Sequence, residues 1–167
     1  MKVAENIVRR LVYGKPASRI LVVGSANLDA SPLMEFLLKG ASAGKDMVIE
    51  SAGLSASEGL EMSRRAYSFL ADHGFDVREL AKFRSRKLSD TMAANFQLLL
   101  VTSMAVKGFL LFLYPDAVIY TFSEYALIGS DVGEIANTTD SEYIGICNEL
   151  SEMARRIVAR ALKNTTF

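Results

Sequence analysis

A single cysteine, Cys147, and a single histidine, His73, are all that the 167-residue chain offers of the side chains that most often bind zinc or drive nucleophilic chemistry. One cysteine excludes an internal disulfide and any cysteine-rich zinc site, and one histidine leaves little room for a His-based metal centre or a catalytic triad. Neither sign of charge prevails. Nineteen Lys and Arg oppose nineteen Asp and Glu, and the pI is near 6.6, so no global basic field draws the chain to nucleic acid. Long hydrophobic runs are missing too. The longest, around Leu98 to Val101 and Phe109 to Tyr114, fall far short of the roughly 20 residues that a spanning helix needs, so a soluble protein with no membrane span is expected. The start, Met1 to Gly14, carries Lys2, Arg9 and Arg10 without an apolar run ahead of a cleavage pattern, so a cytoplasmic address is expected. There is no low-complexity linker and no internal repeat. Half of the residues are apolar, which at this length predicts one compact domain.

Short apolar runs alternate with longer segments of helical period, the pattern of a parallel sheet covered by crossover helices, which places the chain in the α/β class. The strand candidates are Ile20 to Val23, Met47 to Ile49, Leu98 to Val101 and Val118 to Phe122, each short, aliphatic or β-branched, and bounded by polar or turn residues. Pro32 to Lys39 reads as a helix with Ser31 as N-cap and Pro32 at the first helical position, and Leu60 to Asp72 as a second that stops at Gly74. The strongest helix is Ser141 to Leu162, where Tyr143, Cys147, Leu150, Ala154, Ile157 and Ala161 recur at helical spacing. Cys147 on that face is expected to be a buried core thiol. His73, just ahead of a glycine, is expected to meet terminal carbonyls rather than a metal. Phe109 to Tyr114 reads as a buried helix face. Met1 to Leu11 is a further helix candidate, so residues 1–18 form an N-terminal extension and residues 19–167 the domain.

In open α/β sheets the loop from strand to helix points backbone N–H groups at the ligand crevice. Gly24 to Pro32 is such a loop, and its small residues permit an anion-holding nest. It is neither a Walker loop, lacking the Gly-Lys-Ser/Thr ending, nor a dinucleotide fingerprint, lacking the second and third glycines.

From Arg19 to Glu35 the chain reads Arg-Ile-Leu-Val-Val-Gly-Ser-Ala-Asn-Leu-Asp-Ala-Ser-Pro-Leu-Met-Glu, which resembles the first strand and phosphate loop of the low-molecular-weight protein tyrosine phosphatases. Downstream, Ser51-Ala52-Gly53-Leu54 resembles that family's Ser-Ala-Gly-Thr, His73-Gly74-Phe75-Asp76 its His-Gly-Ile-Asp, and Phe83-Arg84-Ser85-Arg86-Lys87-Leu88 its His-Arg-Ser-Arg-x-Leu. Phe122 to Ala126 and Glu134 to Thr138 follow the family's Leu-x-Glu-Tyr and Asp-Ile-x-Asp-Pro segments in order, so the resemblance covers about Arg19 to Leu162. It implies a three-layer flavodoxin-like fold, a four-stranded parallel sheet with helices on both faces.

The resemblance also implies three reagents that this chain lacks. The family's loop cysteine attacks phosphorus as a thiolate; the matching position is Gly24. Its loop arginine clamps the phosphate with a planar fork; the matching position is Ala30. Its aspartic acid protonates the leaving oxygen; the matching position is Asn137, an amide that cannot act as an acid. Loss of a general acid costs about 10²- to 10⁴-fold and loss of a covalent nucleophile about a million-fold, without additivity. Asp29 adds a repulsion of roughly 4 kcal/mol for a phosphate charge about 4 Å away at an effective dielectric of 20. Ser57 and Thr139 stand where the family carries substrate-gripping aromatics. What the resemblance retains is scaffold: Asn27 matches the loop-bracing residue, and Ser31 the serine that supports the thiolate and caps the helix.

These positions predict a degenerate phosphatase-like protein that binds or regulates, with Ser25, Ala26, Asn27, Leu28, Asp29 and Ser31 as binding residues and no catalytic residue, cofactor or metal. Ser25 lies one position out of register with no histidine near it in sequence, so it reads as a loop serine. Arg84 and Arg86, with Lys82 and Lys87, read as a solvated, charge-balanced surface. An active phosphatase with a rearranged site is the alternative; arsenate reduction would need a cysteine relay, which a lone Cys147 cannot supply. A third reading is a pocket for a neutral or cationic small molecule attracted by Asp29, which faces Asn137 across it or else lies solvated. The basic stretch before the first strand resembles that of members found with bacterial exopolysaccharide and tyrosine-kinase systems. A protein partner of the phosphotyrosine kind and a homo-oligomer stand as expectations; a nucleic-acid partner does not.

Overall fold

The computed structural model describes residues 17–129 and 135–165. The expected helix at Met1 to Leu11 lies outside the described residues. In chain order the elements are β1 (Arg19–Gly24), α1 (Ala30–Ala41), β2 (Val48–Gly53), α2 (Arg64–Asp72), α3 (Val77–Lys82), α4 (Asp90–Asn95), β3 (Leu98–Val101), α5 (Met104–Leu113), β4 (Ile119–Thr121), α6 (Phe122–Ala126) and α7 (Asp140–Thr165). The four strands form one parallel sheet in the order β2-β1-β3-β4, with Val22 beside Ser51 on one side and Leu100 on the other. Alternation along the central strands divides the core. Ile20 and Val22 face α1, α2 and α7, while Leu21 and Val23 face Phe96, Val106 and Leu110 beside α4 and α5. This is the α/β sandwich with helices on both faces that the sequence predicts.

Several boundaries differ from the sequence expectation. β2 begins at Val48 and runs on through Ser51, Ala52 and Gly53, because those residues stay paired with Val22, Val23 and Gly24. α1 starts at Ala30, so Ser31 lies inside the helix rather than at its N-cap; Asp29 holds the N-cap position, and its side chain makes no cap bond. α2 starts at Arg64, with Ser63 accepting from the Ala66 N–H. The preceding Leu60 is held out of the helix by Ser85, whose N–H donates to the Leu60 carbonyl at 2.7 Å while its hydroxyl accepts from the Leu60 N–H at 2.9 Å. β4 stops at Thr121, because Thr121 and Glu124 form a capping box that starts α6 at Phe122.

The largest departure is α5. Only Val106 and Leu110, one turn apart, are buried against the sheet. Phe109, Leu111, Phe112 and Leu113 are exposed, Phe112 to 84%. Phe109 to Tyr114 is therefore not the buried helix face that its composition suggests.

Candidate functional site

β1 lies between β2 and β3, so the chain leaves its carboxyl end at the point where the connections diverge, the usual place for a crevice in an open parallel sheet. The residues there, Gly24 to Asp29, are fixed from below by buried polar groups. Asn27 adopts the left-handed conformation, φ 57°, which asparagine tolerates better than most residues. Its amide Nδ2 donates to Ser51 Oγ at 2.8 Å and Ser31 Oγ at 3.0 Å, while its Oδ1 accepts from the Arg86 N–H at 2.9 Å. Ser51 in turn donates to Glu35 Oε2 at 2.5 Å, and Lys39 closes the chain on Glu35 Oε1 at 2.6 Å. Asn27, Ser31, Ser51 and Glu35 are all buried, and each finds a partner. The loop also presses on β2. A Cβ at Gly53 would lie 2.6 Å from the Ser25 carbonyl oxygen, so glycine is what lets the two backbones approach.

Above this floor opens a cavity of about 500 Å3, lined by Gly24 through Ser31 together with Thr102, Ser103 and Ala105 from the β3–α5 corner, Phe122 of α6, Ile135 and Ala136, and Ile146 and Leu150 of α7. Asp29 is the one ionisable side chain among these described lining residues. Its Oδ1 accepts from Tyr143 Oη at 2.7 Å and Ser63 Oγ at 3.0 Å, which joins the loop to α7 and α2. Burial, and then the bond to Asp29, push the Tyr143 hydroxyl well above the usual phenol range. The Arg65 guanidinium stacks 4.0 Å from the centre of the Tyr143 ring and donates to Thr138 Oγ1 at 3.0 Å, tying the segment before α7 to α2. Among the described residues, no acceptor meets the backbone N–H groups of Ser25 to Ala30.

All of the expected binding residues, Ser25, Ala26, Asn27, Leu28, Asp29 and Ser31, line this cavity, as do Gly24 and Ala30. Ser31 acts from within α1: its Oγ lies 3.2 Å from the place a Cβ on Gly24 would take. Asn137 is exposed and outside the lining; Ile135 and Ala136 border the cavity instead. Asp29 is half-buried and bonded to Tyr143 and Ser63, whereas Asn137 is exposed and does not share the cavity wall with it. Ser57 and Thr139 are also absent from the lining. The Ser57 carbonyl accepts from Ser85 Oγ, and Thr139 hydrogen-bonds Glu142 at the start of α7, which lowers the Glu142 carboxyl below its usual range.

His73 Nδ1 lies 2.7 Å from the Phe69 carbonyl at the end of α2, the capping contact expected of it. Cys147 is buried in α7, and burial raises its thiol from 9.0 to about 11. Arg86 pairs with Glu50 at 3.4 Å and Lys82 with Glu79 at 2.7 Å, while Arg84 donates to the Ala81 and Phe83 carbonyls. Tyr143, Ser63, Arg65 and Glu35 are the functional neighbours that sequence reasoning did not single out as such. The hydroxyl of Tyr143, on an otherwise apolar helix face, carries no sequence signal of its partner.

Chemically, the cavity presents backbone donors, the hydroxyls of Ser25, Ser31, Thr102 and Ser103, and hydrocarbon walls from Leu28, Phe122, Ile146 and Leu150. No thiol, guanidinium or ammonium lines it among the described residues.

Comparison with known proteins places this geometry in context. No curated protein sequence matches the chain. Among solved structures it is similar to the YwlE arginine phosphatase from Geobacillus stearothermophilus, at TM-score 0.78 and 23% identity, covering 89% of this chain and 94% of that one. It is also similar to a low molecular weight protein tyrosine phosphatase from T. tengcongensis, at TM-score 0.77 and 26% identity over 86% and 99% of the two chains. A third is Vibrio vulnificus Wzb in complex with benzylphosphonate, at TM-score 0.74 and 21% identity over 88% and 99%. The family described as low molecular weight phosphotyrosine protein phosphatase matches residues 19–166, and the chain belongs to that family.

Proposed function

We propose that the chain is a catalytically degenerate member of its family, acting by binding or regulation rather than by hydrolysing phosphate esters. One observation carries this reading: the cavity at the carboxyl end of β1 is bounded by Gly24 and Ala30 and holds no thiol and no cationic side chain among its described lining residues. A covalent route needs an attacking group, a donor for the developing charge and an acid for the leaving oxygen. At the matching positions Gly24 has no side chain, Ala30 has only a methyl, and Asn137 is an exposed amide. Ser25 is no substitute, since Asp29 is the sole ionisable residue among the described lining and one of its oxygens already takes two hydroxyl donors. Buried Cys147 is similarly out of reach of an arsenate relay.

The retained floor supports a binding role, because the hydrogen bonds of Asn27 hold the loop and its backbone N–H groups in one preformed shape, as a ligand site requires. The resemblance to members with a basic stretch before the first strand favours a protein of a tyrosine-phosphorylation or exopolysaccharide system as the partner. The test is turnover: the purified chain should leave para-nitrophenyl phosphate and phosphotyrosine peptides untouched across mildly acidic to neutral pH. A steady rate abolished by Gly24→Val would end the reading.

A further inference from the structure

We propose that the emptied loop is a receptor for an uncharged small molecule with an apolar body and one hydroxyl or carbonyl oxygen. The proposal deepens the non-catalytic reading above and rests on it. The volume of about 500 Å3 falls in the range of small-molecule sites, generally about 300–1,000 Å3.

Its walls decide the class of ligand. Leu28, Ala30, Ala105, Phe122, Ile146 and Leu150 contribute only hydrocarbon side chains, and Phe122 and Leu150 belong to the buried core. An anion would gain the loop's backbone N–H groups but would lie against the Asp29 carboxylate, with no described cation in the lining to offset that repulsion. A cation fares little better. The Asp29 carboxylate attracts it, but Oδ1 already accepts from Tyr143 and Ser63, and the hydrocarbon walls strip water from the charge that the Ser25, Thr102 and Ser103 hydroxyls replace only in part. A neutral apolar body suffers neither penalty. One oxygen on that body has a use, because the N–H groups of Ser25 to Ala30 meet no acceptor among the described residues. Ala30 is central to the selectivity: a methyl stands on the wall at the position where the family resemblance implies a guanidinium.

The experiment compares probes that share a ring and differ in charge, benzyl alcohol, benzylamine and benzylphosphonate, with phenol, cyclohexanol and inorganic phosphate alongside. Binding to the full chain is read from the backbone amide signals of Ser25 to Ala30 during titration to about 10 mM, where weak fragments still register. The expected result is a saturable shift with at least one neutral probe, at least tenfold tighter than with benzylphosphonate, benzylamine or phosphate. Ala30→Leu and, from the β3–α5 corner, Ala105→Leu should each abolish the shift; thermal unfolding identifies which of the two retains the fold. Ala30→Arg should invert the preference in favour of benzylphosphonate.

Tighter binding of benzylphosphonate, benzylamine or phosphate than of every neutral probe overturns the proposal. So does the absence of a saturable shift with all neutral probes, or a shift that survives in both filled variants. Preference for benzylphosphonate without hydrolysis of para-nitrophenyl phosphate would sink this inference alone, whereas turnover would sink the non-catalytic reading beneath it.

Discussion

The floor and the mouth of one loop differ sharply. Beneath the loop, Asn27, Ser31, Ser51 and Glu35 are buried and every one is hydrogen-bonded, so each holds the others in place. At the mouth, Gly24 and Ala30 offer no polar side chain, and Asn137 has left the lining altogether. Shape and chemistry are thus separable in this fold. The loop is held from beneath by the buried Asn27, Ser31, Ser51 and Glu35, whereas Gly24 and Ala30 at the mouth contribute no hydrogen-bonding side chain.

The floor should therefore be the costly place to mutate. Asn27→Ala strands the Arg86 N–H and removes a partner from both serines, and places alanine at φ 57°. It should lower unfolding stability by about 2–4 kcal/mol in denaturant titration. Gly53→Ala forces a Cβ to 2.6 Å from the Ser25 carbonyl and should cost about 1–3 kcal/mol, with displaced Ser25 to Asn27 amide signals. Loss of only a few tenths at either site would erase the contrast.

High pH probes the wall behind the mouth. Cys147 and Tyr143 both titrate above their ordinary values because burial favours their neutral forms. The unfolded state therefore releases its protons first as pH rises. The stability they contribute is whole below pH 9.0 and falls as pH climbs through about 11, by about 1–2 kcal/mol for the thiol alone. Thermal melts from neutral to alkaline pH check the sign; a flat profile would show that α7 is not sealed there.

The smallest effects belong to the mouth. Gly24→Ala brings a Cβ to 3.2 Å from Ser31 Oγ and 3.3 Å from Thr102 Cγ2, contacts relieved by a shift of a few tenths of an ångström, and should change stability by under about 1 kcal/mol. Asn137→Ala, at an exposed position, should change it by no more than about 0.5 kcal/mol. A large loss at either position in the same denaturant titrations would mean that the mouth shares the floor's role.

The strands and the loop were legible because their signals are local. Leu98 to Val101 is an unbroken apolar run, and it forms β3 without revision. Ile20 to Val23 forms β1 with one further residue at each end, Arg19 and Gly24. Long-range pairing hid the rest: β2 runs on to Gly53 because β1 is there to pair with it, and Leu60 is kept from α2 by Ser85. Composition misled at α5, since apolar content says nothing about how much sheet is available to cover a helix. The six expected loop residues do gather around one cavity, yet the partner of Asp29 was invisible. Tyr143 lies 114 positions away, and helical periodicity marks its ring as core without saying where its hydroxyl ends.

The separation of frame from chemistry is tested most directly by measuring para-nitrophenyl phosphate hydrolysis by the natural chain beside the triple variant Gly24→Cys, Ala30→Arg, Asn137→Asp. A natural chain at the rate of buffer alone, with the variant clearly above it, is the predicted outcome. A natural chain that turns the ester over at a rate the variant does not exceed would contradict the account.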